Sequence, residues 1–264
     1  MKKNLPKMKR RWGMAIDLDR CTGCGACQIA CAQENNIPVR NDDSNLSRRV
    51  FFLDIVPVEN GASFPDAETA FVPKMCQQCG NPSCVSVCPA VATDVGDDGV
   101  VSQIWSRCFG CRYCIASCPY DARVFNWWKP EYPGEFARGL NPDVSIASRG
   151  TVVKCTFCSH RWKRERDRKL AEGVLDINAA EYTPACADAC PTKAIVFGDL
   201  NDPTSEVSKL AATDRAFRLV HSIDGKSETE RARRMAIKKF PEPKVWYLSS
   251  KKWLHDLFSF ERSI

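Results

Sequence analysis

Short apolar stretches recur along the chain, and each ends near a basic residue and a cysteine. They read MAIDLDRC, AFVPKMC, VVSQIWSRC and GTVVKC. Runs of this length, rich in β-branched and aromatic residues, are typical of strands. A second set follows a cysteine–proline pair and reads CPAVATDV, CPYDARVF and CPTKAIVF. The pattern predicts a repeated unit of strand, cysteine loop, short helix and strand.

The stretches between these units predict further elements. RRVFFLDIVPV, within residues 32–70, predicts a strand that packs on the repeated core, and VGDDGVV (95–101) predicts a hairpin turn. Residues 126–150 are rich in Pro, Gly and aromatics and are expected to form an ordered loop. HRWKRERDRK predicts an exposed helix with internal ion pairs, with partner docking as the alternative. Residues 201–264 read as a C-terminal extension whose aromatics, in KVWYLSSKKWLHDLFSF, pack on the core or on a partner.

Composition narrows the class of protein. No apolar run approaches the roughly 20 residues that cross a bilayer, so we expect no membrane span. Arg10 and Arg11 faintly resemble a twin-arginine signal, but no apolar export segment follows them, so we expect no export signal in the chain itself. The formal net charge is +6, yet no motif that reads nucleic acid is present, and we expect no nucleic-acid partner.

All 16 cysteines fall into four groups. The groups are Cys21, Cys24, Cys27 and Cys31; Cys76, Cys79, Cys84 and Cys88; Cys108, Cys111, Cys114 and Cys118; and Cys155, Cys158, Cys186 and Cys190. The third is a complete C-x2-C-x2-C-x3-C-P run, which is the bacterial ferredoxin pattern. The first lacks the proline, the second has one gap longer by two residues, and the fourth is split by a long insertion.

Three chemistries compete for these thiols. Disulfides are disfavoured, because three cysteines within seven residues have poor geometry for pairing. Zinc knuckles would leave the third cysteine of each triad and the following proline without a role. Iron–sulfur ligation uses every cysteine, since three closely spaced thiolates hold one cluster and the fourth reaches the neighbouring one. Four such clusters, mostly or all [4Fe–4S], would bring the net charge to about −2.

Helix geometry accounts for this sharing of ligands. The last two cysteines of every group lie four residues apart, which is about 6 Å along one helical face. One thiolate can therefore complete one cluster while the next points to another. Pro89, Pro119 and Pro191 then end the helical turn.

The economical pairing of the groups is nested, the second with the third and the first with the fourth. It predicts four ligand sets: Cys21, Cys24, Cys27 and Cys190; Cys31, Cys155, Cys158 and Cys186; Cys76, Cys79, Cys84 and Cys118; and Cys88, Cys108, Cys111 and Cys114. The sequential pairing, first with second and third with fourth, needs longer reaches and stays open as the alternative.

The predicted fold class is α+β, with two bacterial-ferredoxin-like dicluster modules that are nested and pseudo-repeated. Module A comprises residues 12–31 with 151–200, and module B comprises residues 71–127. Residues 32–70 and 126–150 are insertions. Arg20, Lys74, Arg107 and Lys154 precede the groups and are candidates for raising cluster potentials, with solvated cations at strand ends as the alternative.

At these residues the sequence resembles the four-cluster iron–sulfur subunits of respiratory molybdopterin-type oxidoreductases. The matching stretches are WGMAIDLDRCTGCGACQIACAQENNIP, CQQCGNPSCVSVCP, RCFGCRYCIASCPYDARVFNW, and KCTFCSHR with PACADACPTKAIVFGDL. NPDVSIASRGTVVKCTFC and PKVWYL resemble the branch of the quinone reductase complex of sulfate reducers and alternative complex III. The resemblance is strong over about residues 12–200 and weaker in the tail.

The resemblance implies nested pairing and a linear wire of four clusters, one of which is [3Fe–4S] in some members. All sixteen cysteines are present here, so the sequence gives no reason to expect a [3Fe–4S] cluster. The implied partners are a molybdopterin-type large subunit, a polytopic quinone-site membrane subunit and, in some branches, a multihaem cytochrome c. The implied location is the periplasmic face of the membrane, after export with a twin-arginine partner, with the cytoplasmic face as the alternative.

The hypothesis from the sequence is a non-catalytic electron-transfer subunit of a membrane-bound respiratory complex. It relays electrons along four clusters between a quinone-site subunit and a molybdopterin-type or cytochrome c partner. The alternatives are a subunit of a polysulfide, tetrathionate or dimethyl sulfoxide reductase, and a free soluble polyferredoxin shuttle.

Overall fold

The computed structural model describes residues 10–39, 48–96, 98–174, 176, 181–220 and 241–258. The first nine residues of the basic N-terminus, on which part of the export prediction rests, lie outside the described residues. So do 40–47 of the first insertion and 221–240 and 259–264 of the C-terminal extension.

Ten strands and seven helices are named here in chain order. The strands are β1 Trp12–Asp17, β2 Leu53–Glu59, β3 Thr69–Met75, β4 Thr93–Val95, β5 Val101–Gln103, β6 Val124–Phe125, β7 Val152–Val153, β8 Ile195–Asp199, β9 Ala216–Phe217 and β10 Val245–Leu248. The helices are α1 Ala26–Glu34, α2 Ser83–Ser86, α3 Tyr113–Ala116, α4 Ser159–Ala171, α5 Ala185–Asp188, α6 Glu206–Ala211 and α7 Lys252–Phe258. Two short 3-10 turns lie at Trp105–Arg107 and Gly134–Gly139.

The strands predicted around the cysteines are confirmed. The four stretches before the groups contain β1, β3, β5 and β7, and the three stretches after the cysteine–proline pairs contain β4, β6 and β8. The predicted hairpin is β4–β5, in which Val95 pairs with Val101. The mixed content of helix and strand agrees with the α+β class.

A four-stranded sheet in the order β8–β1–β10–β9 forms the largest layer. β1 pairs antiparallel with β8, with Met14 opposite Phe197, and parallel with β10, with Met14 opposite Val245. The burial of β1 explains its sequence, because apolar side chains on both faces suit a strand that is covered on both sides. The strand β10, which comes from the C-terminal extension, is thus an internal member of this sheet. The sequence predicted only that the aromatics of the extension pack on a core or a partner.

The strands that flank the cysteine groups do not all pair in the same way. β1 and β8, which flank the first and fourth groups, pair with each other, whereas β3 pairs with β2 and β6 pairs with β7. The inserted strand β2 follows β3 over seven residues, from Leu53 opposite Met75 to Glu59 opposite Thr69. Strands adjacent in sequence usually become neighbours in a sheet. The insertion therefore takes the place beside β3, as the predicted packing of RRVFFLDIVPV required.

Cysteines are part of the hydrophobic core. The main core cluster contains Met14, Ile16 and Val72 together with buried cysteines from three of the four groups. Beside it, Trp12 stacks on Phe197 with ring centroids 5.3 Å apart, and Phe157 meets Phe197 edge-on at 5.4 Å. The core is therefore assembled around the positions where the cysteines converge.

The C-terminal extension also binds the loop of the second cysteine group. The backbone N–H groups of Gly80 and Asn81 donate to the carbonyls of Glu242 and Pro241, each at 2.9 Å. Gly80 and Asn81 lie in the gap that is longer by two residues than the corresponding gap in the first and third groups. The extra residues thus provide the backbone donors that bind the extension, and Tyr247 adds a hydrogen bond from its hydroxyl to the carbonyl of Pro73 at 2.9 Å.

The predicted basic helix is α4, and its internal ion pairs are present. Arg168 contacts Glu165 at 2.6 Å and Glu172 at 2.5 Å on the exposed side of the helix. Such exposed pairs contribute at most about 0.5 kcal/mol each. Over the ranges that the structure describes, no helix is both long and apolar enough to cross a membrane.

Candidate iron–sulfur sites

The four cysteine groups share one backbone turn. The residue before the second cysteine has a positive φ in each group: Gly23 (69°), Gln78 (48°), Gly110 (81°) and Phe157 (55°). Only glycine adopts this region without cost, so its use by Gln78 and Phe157 shows that the turn is imposed by the loop. The same turn at the same place makes the groups structural repeats and not only repeats of sequence.

Short helices then carry the later cysteines. Helix α1 contains both Cys27 and Cys31, whereas α2, α3 and α5 contain Cys84, Cys114 and Cys186 near their first residues. In the last three groups, the fourth cysteine follows directly after the helical turn and precedes a proline. The predicted helical face with two cysteines four residues apart is thus present only in α1, whereas in the other three groups the fourth cysteine lies two residues beyond a helix of four residues.

The C-P-x-x-A pattern has a physical reason in the structure. The alanine N–H donates to the sulfur of the preceding cysteine, from Ala92 to Cys88 at 3.2 Å and from Ala194 to Cys190 at 3.3 Å. The residue before each alanine has a positive φ, namely Val91 (48°), Asp121 (46°) and Lys193 (52°). This bend turns the alanine N–H towards the sulfur, where a donor stabilises a thiolate.

Val91 is the costliest of these positions, because a β-branched residue fits the left-handed region poorly. We expect Val91→Asn to stabilise the loaded protein by about 1 kcal/mol, which would raise the midpoint of thermal bleaching by about 2–4 °C at a fixed scan rate. Val95→Asn is the matched control, since Val95 lies in the extended strand β4 and is also partly exposed. An equal rise in both variants, or none in Val91→Asn, would contradict the assignment of strain.

Two sets of four cysteines line two separate cavities. Cys21, Cys24, Cys27 and Cys190 surround one, together with Gly23, Gly25 and Ile195. Cys88, Cys108, Cys111 and Cys114 surround the other, together with Gly110 and Val152. Each cavity thus combines three cysteines of one group with the last cysteine of another.

The other eight cysteines approach one another in the interior. The sulfur of Cys79 interacts electrostatically with those of Cys76, Cys118 and Cys84. The sulfur of Cys31 interacts with those of Cys155, Cys186 and Cys158. All sixteen thiols are free of disulfides. Among the described residues, no group of three or more His, Cys, Asp and Glu side chains is arranged to hold a single metal ion.

Neighbouring sets also influence one another. Cys27 and Cys31 are one turn apart on α1, the charge of Cys76 acts on Cys155, and that of Cys84 acts on Cys114. These three relations order the four sets into one series. Cys24 and Cys111, which belong to the sets at the two ends, are the exposed members of the sixteen.

The environment of the sulfurs fits a cationic metal core. Burial and the neighbouring thiolates raise the pKa of Cys27 to about 11 and that of Cys155 to about 12. For Cys88, burial also raises the pKa, but hydrogen bonds from the backbone N–H groups of Thr93 and Ala92 outweigh it and lower the pKa. Several thiolates within one buried set repel each other unless iron neutralises them, so these residues fit iron–sulfur clusters.

The four basic residues singled out from the sequence separate into two kinds. Lys74 and Lys154 are buried, whereas Arg20 and Arg107 are exposed. The Lys154 ammonium donates to the carbonyls of Cys155, at 2.8 Å, and Val101. Two of the four basic residues, Lys74 and Lys154, are therefore buried close to the second and fourth cysteine groups.

Two polar residues near the sulfurs were missed by the sequence analysis. Gln78 is fully buried, donates to the carbonyl of Cys155 at 2.7 Å and accepts the N–H of Val101 at 2.8 Å. It therefore joins the loops of the second and fourth groups. Arg123 donates to the sulfur of Cys84 at 3.1 Å. Arg123 stands in CPYDARVF, after the third group, whereas the four basic residues predicted from the sequence each precede a group.

A third polar cluster connects α1 to α4. Both oxygens of Glu34 accept from Arg161, at 2.7 and 2.8 Å, and His160 lies 2.7 Å from the first. Burial raises the pKa of Glu34, but the bonds from Arg161 and His160 outweigh it and lower the pKa to about 2. The carboxylate is thus charged at neutral pH and joins the end of α1 to the first turn of α4, which begins directly after Cys158.

Comparison with known protein families agrees with these sites. A 4Fe–4S dicluster domain model matches residues 67–132, and a 4Fe–4S binding domain model matches residues 12–33. With sixteen cysteines available, the protein holds four iron–sulfur clusters, mostly of the [4Fe–4S] type.

Several relatives match most of the sequence. The iron–sulfur cluster-binding subunit of menaquinone reductase from Nitratidesulfovibrio vulgaris (strain Hildenborough) is 44% identical over 95% of this chain and 93% of its own length. The B subunit of polysulfide reductase from Wolinella succinogenes is 36% identical over 83% and 92%, respectively. The arsenate respiratory reductase iron–sulfur subunit from Shewanella sp. (strain ANA-3) is 32% identical over 79% and 90%. The resemblance drawn from the cysteine motifs is confirmed, and the protein belongs to the family of iron–sulfur electron-transfer subunits of respiratory reductase complexes.

Proposed function

We propose that this chain relays electrons along four clusters between a quinone-site membrane subunit and a molybdopterin-type or cytochrome c partner. The observation that carries the proposal is the series of four cysteine sets, in which the thiolates of neighbouring sets act electrostatically on each other or share helix α1, and the two end sets each contain an exposed cysteine. The protein is the electron-transfer component of its complex and not the catalytic one.

The proposed ligand sets are the nested ones. Cys21, Cys24, Cys27 and Cys190 hold the first cluster, and Cys31, Cys155, Cys158 and Cys186 the second. Cys76, Cys79, Cys84 and Cys118 hold the third, and Cys88, Cys108, Cys111 and Cys114 the fourth. Module A (12–31 with 151–200) then contains the first two clusters and module B (71–127) the other two. The two cysteine-lined cavities and the electrostatic contacts among the buried thiols support this assignment.

Each cluster supplies one-electron chemistry when bound, and the residues of the protein control its surroundings. Backbone N–H groups of Ala92 and Ala194 donate to ligand sulfurs, and burial of the inner cysteines excludes water. Hydrogen bonds, charge and burial are what set the potential of such a centre. No side chain of the protein has to make or break a bond.

Single-cysteine variants test the ligand sets. We expect Cys24→Ala and Cys190→Ala to abolish the same electron paramagnetic resonance signal in the anaerobically reduced protein, and Cys186→Ala to abolish a different one. Each variant should lose about a quarter of the iron, since each cluster holds four of sixteen. If Cys24→Ala and Cys88→Ala instead removed the same signal, the sequential pairing would be correct.

We further propose a peripheral position in a membrane complex, on the periplasmic face. The named relatives are subunits of menaquinone, polysulfide and arsenate reductases, and they support a quinone-linked complex. Mild extraction of native membranes with a tagged protein should co-purify a polytopic subunit together with a molybdopterin-type or cytochrome c subunit. Recovery of a lone monomer from the soluble fraction would favour the shuttle. Resistance of the protein to protease added to intact spheroplasts would favour the cytoplasmic face.

A further inference from the structure

Arg123 is a buried cation that faces sulfur. Its side chain is almost inaccessible, with 3% of the residue exposed, and Nη2 lies 3.1 Å from the sulfur of Cys84. In the described part of the protein, its other hydrogen bonds go to the neutral side chains of Gln103 and Thr93. A buried guanidinium is costly unless a negative charge compensates it. The compensating charge here is that of the cysteine sulfurs.

The β4–β5 hairpin fixes this guanidinium. Nη1 donates to the side-chain oxygen of Gln103 at 2.8 Å and to the hydroxyl of Thr93 at 3.3 Å. Thr93 and Gln103 are paired across the hairpin, and the Thr93 hydroxyl donates to the same Gln103 oxygen at 2.9 Å. Because both acceptors belong to one rigid pair, the cation is held in place from the side opposite to Cys84.

The position of Arg123 relates it to two of the four ligand sets. The thiolates that act on its charge are those of Cys84, Cys76 and Cys118 in one set and Cys114 in the adjoining set. An arginine guanidinium stays protonated in proteins. Arg123 is therefore a fixed positive charge that acts on both sets of module B and is in hydrogen-bond contact with the Cys84 sulfur.

We propose that Arg123 sets the reduction potentials of the two clusters of module B, raising that of the Cys76, Cys79, Cys84 and Cys118 cluster most. The proposal rests on the ligand sets given under Proposed function. Uptake of one electron makes a cluster one unit more negative, and a fixed cation beside its sulfur favours that reduced form. The charge-assisted hydrogen bond to Cys84 adds to the effect at the nearer cluster.

Module A has a neutral, more distant donor beside its inner set. The side-chain amide of Asn35 lies 3.6 Å from the sulfur of Cys31 and 3.9 Å from that of Cys158. An amide donates without adding charge. A change at Arg123 should therefore shift the two signals of module B and leave the two of module A in place.

The test is a potentiometric titration of the purified holo-complex with dithionite as the one-electron reductant, followed by electron paramagnetic resonance. Signals are assigned by their loss in Cys79→Ala (third cluster), Cys111→Ala (fourth) and Cys24→Ala (first). In Arg123→Gln, we expect the equilibrium of the third cluster to shift at least tenfold towards its oxidised form. This shift corresponds to a reduction potential that is lower by about 59 mV for one electron. Arg123→Lys, which keeps the charge, should lower the potential of the third cluster much less than Arg123→Gln does. Arg138→Gln, which alters an exposed side chain paired with Glu135, should leave all four potentials unchanged.

Gln103→Glu provides a second test if Arg123→Gln does not load with iron. It places a carboxylate in hydrogen-bond contact with Nη1 and keeps the guanidinium. The potential of the third cluster should therefore also fall, but by less than in Arg123→Gln. Fully loaded Arg123→Gln or Gln103→Glu protein with all four potentials unmoved would overturn the role of Arg123 and leave the proposed function intact. If Cys79→Ala removed none of the signals that the wild-type protein shows, the ligand sets themselves would be wrong.

Discussion

Anaerobic removal of iron from the purified protein with a chelator is expected to unfold most of it. Buried cysteines of three groups belong to the main core cluster, and Cys84 and Cys114 belong to a smaller one with Val101 and Val152. Helices α2, α3 and α5 are only four residues long, which is too short to persist without the contacts of their cysteines. Binding of a structural metal can contribute about 10–16 kcal/mol to folding, as it does in zinc fingers.

Far-ultraviolet circular dichroism and limited proteolysis, measured before and after chelation, check this expectation. We expect loss of most of the ordered signal and rapid cleavage throughout the protein, with recovery when iron, sulfide and a thiol reductant are returned. A chelator loaded with iron beforehand is the control for direct effects of the reagent. A protein that keeps its native spectrum and protease resistance after losing its iron would show that the polypeptide core stands without clusters.

Gly110→Ala is expected to abolish the fourth cluster and to remove about a quarter of the iron. Gly110 has a φ of 81°, and a Cβ there would lie 2.3 Å from the carbonyl oxygen of Gly150, with Phe125 at 3.1 Å. The obstructing atom belongs to the backbone that leads into β7, and the paired strands β6 and β7 hold it in place. The loop must therefore open, which moves Cys108 and Cys111 away from Cys114.

Gly25→Ala separates the clash from the cost of the left-handed backbone. Gly25 has a φ of 80° and directly follows Cys24, as Gly110 directly precedes Cys111, but a Cβ at Gly25 meets nothing within 4 Å. It should incur only the backbone cost of about 1–2 kcal/mol and keep all four signals. Equal iron loss in both variants would assign the effect to backbone conformation, and full iron content in Gly110→Ala would contradict the steric argument.

Local features of the site could be predicted from the sequence, because they depend on short spacings. The cysteine intervals, the cysteine–proline pairs and the strands beside them all arise within about ten residues of each other. The turn before the second cysteine was not predictable, since Gln78 and Phe157 adopt a conformation that their residue types disfavour. The loop imposes that conformation, and no propensity of a single residue indicates it.

Long-range partners could not be read from the sequence. Arg123 meets Cys84 from 39 positions away, and Gln78 meets Cys155 from 77. No periodicity links such positions, so their roles appear only when the protein is folded. The longer gap of the second group was visible as an irregularity, but its purpose depends on Pro241 and Glu242, which lie far along the sequence.

The sequence predicted that the aromatics of the C-terminal extension pack either on the core or on a partner, and the described ones pack on the core. In the structure, Tyr247 is fully buried within the sheet, and Phe217 and Phe258 stack face to face beside it. These aromatics serve the fold, so the assignment to a respiratory complex depends on the family relationship instead.

The placement of β1 has a consequence for how the protein is made in the cell. The strand β1 is translated long before both of its neighbours in the sheet, β8 and β10. During most of elongation, this apolar strand has no partner and is open to association with other nascent chains. A holding chaperone that covers β1 until β8 and β10 have been translated would protect it.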